Sequence, residues 1–197
     1  MPRDLGQHAG LTRESVLDAA RIIASEQGLG NLTMRSLAKR LEVAPNALYG
    51  WVASKTALLD ALVDDALKDV GVSPLSTTDD SDQRGRLTKL LLDTFDAIME
   101  RPELATLFLD RAASPGPNAT RIRVKVRQLL IDNGVAAAGT DAAVPILLVH
   151  VIGFAAFVLQ THGAKLLDEP HLGPARNLVA TSISWLLNGV TKTPATA

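Results

Sequence analysis

The chain has no cysteine, which removes disulfides, thiolate metal sites and cysteine nucleophiles in one step. Aromatic residues make up only 4% of its 197 residues. Leu, Ala and Val dominate instead, a balance that favours helix packed on helix. Net charge is nearly absent as well, at −1 from 20 basic and 21 acidic side chains. Such a protein does not coat nucleic acid through bulk positive charge. A DNA reader still works with a local basic face, because steering depends on where the charge sits. The opening MPRDLGQHAG lacks an apolar core of signal-peptide length, so a cytoplasmic location is the expectation. Catalytic signatures are missing too, with no GxSxG, P-loop, HExxH or Cys/His cluster. His8, His150, His162 and His171 fall at no spacing that makes a metal face. His150 and Asp141 are an acid–base pair on paper only, since no motif joins them. The expectation is a protein that is not an enzyme and uses no cofactor or metal.

What is present is apolar bulk, at 47% of residues, ample for a buried core. The length suits one compact domain, or a small module plus a larger one. Residues 142–159, AAVPILLVHVIGFAAFVL, are long and apolar enough to raise the question of a membrane span. His150 in mid-stretch, the breaks at Pro145 and Gly153, and the lack of a flanking Lys/Arg cluster speak against one. A helix apolar all round also serves as the central helix of a bundle, and no membrane partner is expected.

Helical periodicity starts at Arg13, after Thr12 as N-cap, and brings Val16, Leu17, Ala20, Ile23 and Ala24 onto one stripe. Gly28 stops this helix. A second short helix follows Thr33 and turns Leu37, Ala38 and Leu41 inward. Three residues later Pro45 stands at a first-turn position, where its missing N–H costs nothing, and opens a third helix to about Val52. A longer helix, about 55–70, repeats Leu58, Leu59, Leu62, Val63, Ala66, Leu67 and Val70. The polar run GVSPLSTTDDSD at 71–82 reads as a loop and module edge. Further helices are expected at about 83–100, 103–113, 118–133, 141–163 and 174–189. Between them stand Pro102, SPGP at 114–117, the 134–140 segment and PHLGP at 170–174. Residues 121–127, RIRVKVR, alternate basic and apolar as a surface strand does, yet their flanks favour helix. Their basic side chains are either a solvated helix face or a site for a second anionic partner.

Two short helices joined by a three-residue turn, behind a supporting helix, describe a helix-turn-helix. The segment LTMRSLAKRLEVAPNALYGWVASKTALLDAL (32–62) resembles the DNA-binding signature of the TetR family. The matching skeleton is Thr33, Arg35, Leu37, Ala38, Val43, Leu48, Tyr49, Val52, Lys55, Leu58 and Leu59. The likeness extends over about residues 12–66, and LYxxVxxKxALLDAL at 48–62 is especially similar to the tetracycline-repressor branch. It implies an all-α chain with a three-helix helix-turn-helix head and a C-terminal helical bundle, dimerising through its last two helices. The head would occupy 1–70, including the connector at 55–70, and the ligand-binding and dimerisation body 71–197.

On this reading the helix from Pro45 lies in the major groove. Pro45, Asn46 and Ala47 then face base edges, Asn46 suiting adenine and Ala47 a thymine methyl. Arg35 reaches a guanine or a phosphate. Thr33, Tyr49, Trp51 and Lys55 hold phosphates. Plainer roles stand beside these: Thr33 as a helix cap, Tyr49 and Trp51 as packing, Lys55 as an ordinary first-turn lysine. Residues 1–55 hold seven basic against five acidic side chains, whereas the next segment sets Asp60, Asp64, Asp65 and Asp69 against Lys68. Positive charge is thus confined to the head, a pattern that suits operator binding with weak non-specific affinity. Two positions depart from the family pattern. Glu42 stands where glycine is usual, at a cost of roughly 1 kcal/mol if the turn is left-handed. Ala44 replaces the small hydroxyl residue before the recognition helix and forfeits a cap bond.

The body resembles no ligand domain closely enough to carry over a site. Candidate pocket residues are Phe95, Met99, Phe108, His150, Phe154, Phe157 and Gln160, apolar bulk with a few polar groups, against plain core packing. His150 needs a partner, either a ligand or a carbonyl one turn away. Excess apolar positions on the last helix, Leu178, Val179, Ile183, Trp185, Leu186 and Leu187, suit a twofold four-helix interface. The expected partners are a double-stranded operator, a small-molecule effector and a second copy of the chain. The helix at 55–70 is the natural lever between the modules. The expected function is ligand-responsive repression, with an activator of the same fold or a helix-turn-helix adaptor as alternatives.

Overall fold

The computed structural model describes residues 11–72, 82–112, 115–162 and 169–192. All regular structure among them is helical, as expected for an all-α chain. His8, most of the 71–82 loop, part of the 114–117 break and the side chains of His162 and His171 lie outside the described residues. The chain divides into two compact units, Met1–Val63 and Asp64–Ala197.

The first unit holds α1 (Arg13–Gln27), α2 (Met34–Arg40), α3 (Pro45–Leu48) and the first part of α4 (Lys55–Ala66). Thr12 and Ser15 cap α1 reciprocally: the Thr12 hydroxyl accepts from Ser15 N at 3.0 Å, and Ser15 Oγ accepts from Thr12 N at 2.9 Å. Val16, Leu17, Ala20, Ile23 and Ala24 are buried, so the predicted stripe is the packed face. It meets α2, which meets α3, and Leu32, Leu37, Leu48, Leu58 and Leu62 complete a core with no exposure. Both short elements end earlier than periodicity suggests. α3 stops at Leu48, and the Leu48 carbonyl then accepts from Trp51 and Val52 N in a tight turn. α4 stops at Ala66, and residues 67–72 continue in turns.

The second unit is built on α5 (Gln83–Met99), which packs against α7 (Pro117–Asp132), α8 (Ala137–His162) and α9 (Glu169–Lys192). Leu87, Leu90, Leu91, Thr94, Phe95, Ile98 and Met99 recur at i, i+3, i+4 spacing and are all buried. A 3₁₀ turn (Pro102–Leu104) leads into α6 (Ala105–Asp110), which packs on α8. Two helices begin before their expected starts. α8 takes in residues 137–140, and Thr140, with no exposure, donates to the Ala137 carbonyl at 2.6 Å. α9 runs through PHLGP, with Pro170 in its first turn, where a proline gives up no helical bond, and Pro174 one turn further in. α8 is long and apolar enough to cross a membrane, yet half of it is buried and α5, α6, α7 and α9 pack against it. It is a core helix.

The strand-like RIRVKVR run is helix throughout, with Ile122, Val126, Leu129 and Leu130 buried and Val124 outside. Its four cations lie at the surface, Arg127 exposed and the others partly buried, and each is bonded within the chain. Arg121 donates to the Leu67 and Lys68 carbonyls, Arg123 to that of Ala112, and Lys125 to that of Gly71. Arg127 bonds Thr140 and Asp141. Three of the four thus bond carbonyls in the turns just beyond the ends of α4 and α6.

Candidate nucleic-acid interface

Thr33 caps α2. Its hydroxyl accepts from Ser36 N at 3.0 Å, and Ser36 Oγ accepts from Thr33 N at 2.9 Å. α2 ends in a Schellman turn: Val43 N donates to the Ala38 carbonyl at 3.0 Å and Glu42 N to that of Lys39 at 3.3 Å. The motif demands a left-handed residue at the first of these donors in chain order, and Glu42 adopts φ 54°. The same turn ends α7, where Gly134 takes φ 86° with Val135 N on the Leu130 carbonyl. Glycine is free in that region; glutamate is not. Ala44 offers no side-chain cap to α3, whose N1 position is Pro45. The four-residue α3 is therefore held by burial of Leu48 and by the turns on either side rather than by its own bonds.

With that scaffold fixed, Thr33, Arg35, Pro45, Asn46, Tyr49, Trp51 and Lys55 are all exposed, and Ala47 is partly so. Tyr49 and Trp51 are 53% and 43% exposed, so each presents a large part of its ring to solvent. Lys55 opens α4, whose start is capped by Ser54 Oγ accepting from Ala57 N at 3.1 Å. An ion pair of 3.0 Å between Arg40 and Glu26 ties α2 to α1 and takes Arg40 out of the set of unpaired cations. The surface so formed offers aromatic hydroxyl and indole donors, an amide and cations around one helix start. Those are the groups that hold phosphates and read base edges.

The candidate pocket residues of the body fall into three groups. Phe95, Met99 and Phe108 are buried, His150 and Phe154 partly buried, and Phe157 and Gln160 exposed. The rings of Phe95 and Phe154 lie 6.3 Å apart and those of His150 and Phe154 6.2 Å apart. Phe157 touches the cluster at 6.5 Å but stands largely in solvent. Within the chain, His150 bonds a hydroxyl on α9 rather than a carbonyl one turn away. Ser182 Oγ on α9 donates to the Val179 carbonyl at 2.9 Å, which leaves it to accept from His150 Nε2 at 2.7 Å. Sequence reasoning missed Ser182, since a hydroxyl 32 residues away carries no local signal. It also missed a cleft of about 260 Å³ lined by Asp65, Asp69, Lys89, Asp93, Asp96 and Arg101, among others. Two carboxylates there are paired, Asp93 with Lys89 at 2.8 Å and Asp96 with Arg176 at 3.0 Å. Among the described residues no cluster suits a metal ion.

Two consequences are measurable. Replacing Glu42 with glycine relieves the left-handed strain and is expected to stabilise the protein by about 1 kcal/mol, seen as a raised midpoint in urea unfolding. Burial pushes the His150 pKa below its ordinary 6.5, so the unfolded chain holds that proton more tightly than the folded one. The stability this neutral ring contributes is complete above pH 6.5 and is lost as pH falls towards the folded value. His150→Gln is expected to flatten the acid-side decline in stability measured at pH 7.5, 6.5 and 5.5.

Residues 16–62 match the family described as bacterial regulatory proteins, tetR family. The class D tetracycline repressor of Escherichia coli is 50% identical over 54 residues, 27% of this chain and 25% of that repressor. The chain thus spans only about a quarter of that curated relative. Over nearly the whole length, SCO7704 of Streptomyces coelicolor is 30% identical, covering 95% of this chain and 98% of that one with a TM-score of 0.65. A crystal structure of BioQ with its double-stranded DNA operator shares the fold, at 24% identity, 93% and 99% coverage and a TM-score of 0.74. The match to the head and the end-to-end likeness to SCO7704 coincide with the helix-turn-helix built by α2 and α3, and the chain belongs to the tetR family of bacterial regulatory proteins.

Proposed function

We propose that the protein is a dimeric, ligand-responsive transcriptional repressor that binds a palindromic operator in the cytoplasm and is released by a small, largely apolar effector. The observation that carries the DNA-binding part is the exposure of Tyr49, Trp51, Asn46, Arg35 and Lys55 around α3, over a core of fully buried leucines. Both aromatics keep about half of their surface in solvent beside a short helix. They suit phosphate contacts that set register while Pro45, Asn46 and Ala47 meet base edges. The BioQ structure with its operator supports the same use of the fold.

Dimerisation is supported by the outer faces of α8 and α9. Ile146, Val149 and Phe157 fall on one stripe of α8, and Leu178 and Trp185 on one stripe of α9. Each is more than half exposed. These helices pack on each other within the body, so a second copy bringing the same pair would cover both stripes in a twofold four-helix interface. Two heads then meet successive major-groove faces about 34–36 Å apart. The effector is assigned to the neighbourhood of Phe95, Phe154 and His150, where apolar rings adjoin one polar group. Its binding shifts the population away from the operator-competent spacing.

Fluorescence anisotropy on DNA from upstream of the protein's own gene, against scrambled DNA, tests this reading. Selective, salt-sensitive binding is expected. Lys55→Ala is expected to weaken binding evenly across sequences and to lower the salt slope by about 1, whereas Asn46→Ala costs about 1–3 kcal/mol and relaxes preference at one base position. Equal effects of both changes on specific and scrambled DNA would remove the base-reading assignment. Trp185→Glu is expected to yield monomers in sedimentation equilibrium; a dimer that survives it places the interface elsewhere.

A further inference from the structure

The segment after Val63 is held in an unusual way. α7 begins at Gly116, which has no side chain to cap it, with Pro117 at the first helical position and no N–H to satisfy. The next two donors, Asn118 N and Ala119 N, both reach Asp64 Oδ1, at 2.9 and 3.0 Å. A carboxylate on α4 therefore performs the N-cap's task for α7. The Asn118 side-chain amide returns two bonds, to Asp64 Oδ2 at 3.0 Å and to the Asp64 carbonyl at 3.1 Å. Asp64 is 8% exposed, so its charge is met by protein donors and the positive end of a helix. The approach is close enough to require glycine at 116, where a Cβ would lie 2.4 Å from the Asp64 carboxyl.

The reverse contacts come from the same stripe of α7. Arg121 and Lys125 stand one and two turns beyond Asn118, and they donate to the Leu67, Lys68 and Gly71 carbonyls. An acid from α4 thus sits at the start of α7, and bases from α7 sit at the end of α4. Each helix terminus is completed by the other. Val63 and Asp64 are consecutive in α4, and the head ends where this clasp begins. Whatever holds residues 64–71 against α7 also holds the only covalent path between head and body.

We propose that Asp64, Asn118 and Arg121 are positioning residues for operator binding, forming a clasp that anchors the head-bearing helix to α7. The proposal rests on the DNA-binding and dimer readings above. A clasped connector limits how freely each head moves, and that limit matters only when two heads must engage one DNA together. Opening the clasp therefore weakens binding to a two-half-site operator and leaves the binding of a single head untouched. Base-contacting residues affect both.

The test compares wild type with Arg121→Met, Asn118→Ala and Asp64→Asn on DNA carrying two half-sites and on DNA carrying one, with hydrogen exchange followed across residues 64–72. The expected result is faster exchange in that segment, a loss of tenfold or more on the two-half-site DNA, and single-half-site affinity within twofold of wild type. Arg121→Met removes only the bonds to the α4 end, so it remains informative if Asp64→Asn does not fold. Faster exchange with unchanged two-half-site affinity, or equal losses on both DNAs, would overturn the clasp. A wild-type protein with no selective binding to either DNA would instead overturn the repressor reading on which it rests.

Discussion

The hydrogen bond from Val43 N to the Ala38 carbonyl, at 3.0 Å, reverses the chain between α2 and α3, and the surface of the head follows from it. α3 has four residues, no side-chain cap and a proline at its start. Such a helix does not form alone, because nucleation costs more than one turn of bonds returns. Its direction is inherited from the turn, and its hold on the unit from Leu48. The left-handed residue that this turn requires is Glu42, so strain sits beside the elements that present Asn46 and Tyr49 outward. Strain at such a place persists only when the surroundings over-determine it. Here the capped α2, its ion pair to α1 and the buried leucines do so.

The body solves a related problem by other means. Its helices end in carbonyls and begin in N–H groups that burial denies to water. Asp82 caps α5 locally and α7 ends in its own Gly134 turn, but other ends take their partners from neighbouring helices. Asp64 completes the start of α7, Arg121 and Lys125 the end of α4, Arg123 the end of α6, and Arg84 bonds the Ser184 carbonyl and Asn188 on α9. Exposed ion pairs contribute little by themselves. Cations bonded to backbone carbonyls of a neighbouring element specify which helix lies beside which.

Much of the head was legible in the sequence because its signals are local. Thr12 and Thr33 as caps, Pro45 at a first turn and the spacing of Val16 to Ala24 each act within one or two turns. The missing glycine at 42 pointed correctly to a left-handed turn. Ends of elements were less legible. α4 carries apolar residues at helical spacing through Val70, yet its backbone leaves the helix after Ala66, and the carbonyls beyond are taken by α7. Periodicity reports which side is buried and not where bonds change partner. The body's site was the least legible. α8 is apolar on every side, so its sequence gives no phase to separate the partly buried Phe154 from the exposed Phe157 and Gln160. His150 required a partner, but only the folded chain brings Ser182 to it.

The central claim is that α3 and its neighbours read DNA as one of a pair. Selection of genomic fragments by the purified protein, followed by sequencing, tests it most directly. The account predicts enrichment of an inverted repeat whose half-site centres lie about one helical turn apart, lost when Tyr49 is replaced by alanine. Fragments bound without any shared sequence, or enriched equally by the Tyr49→Ala protein, would contradict it.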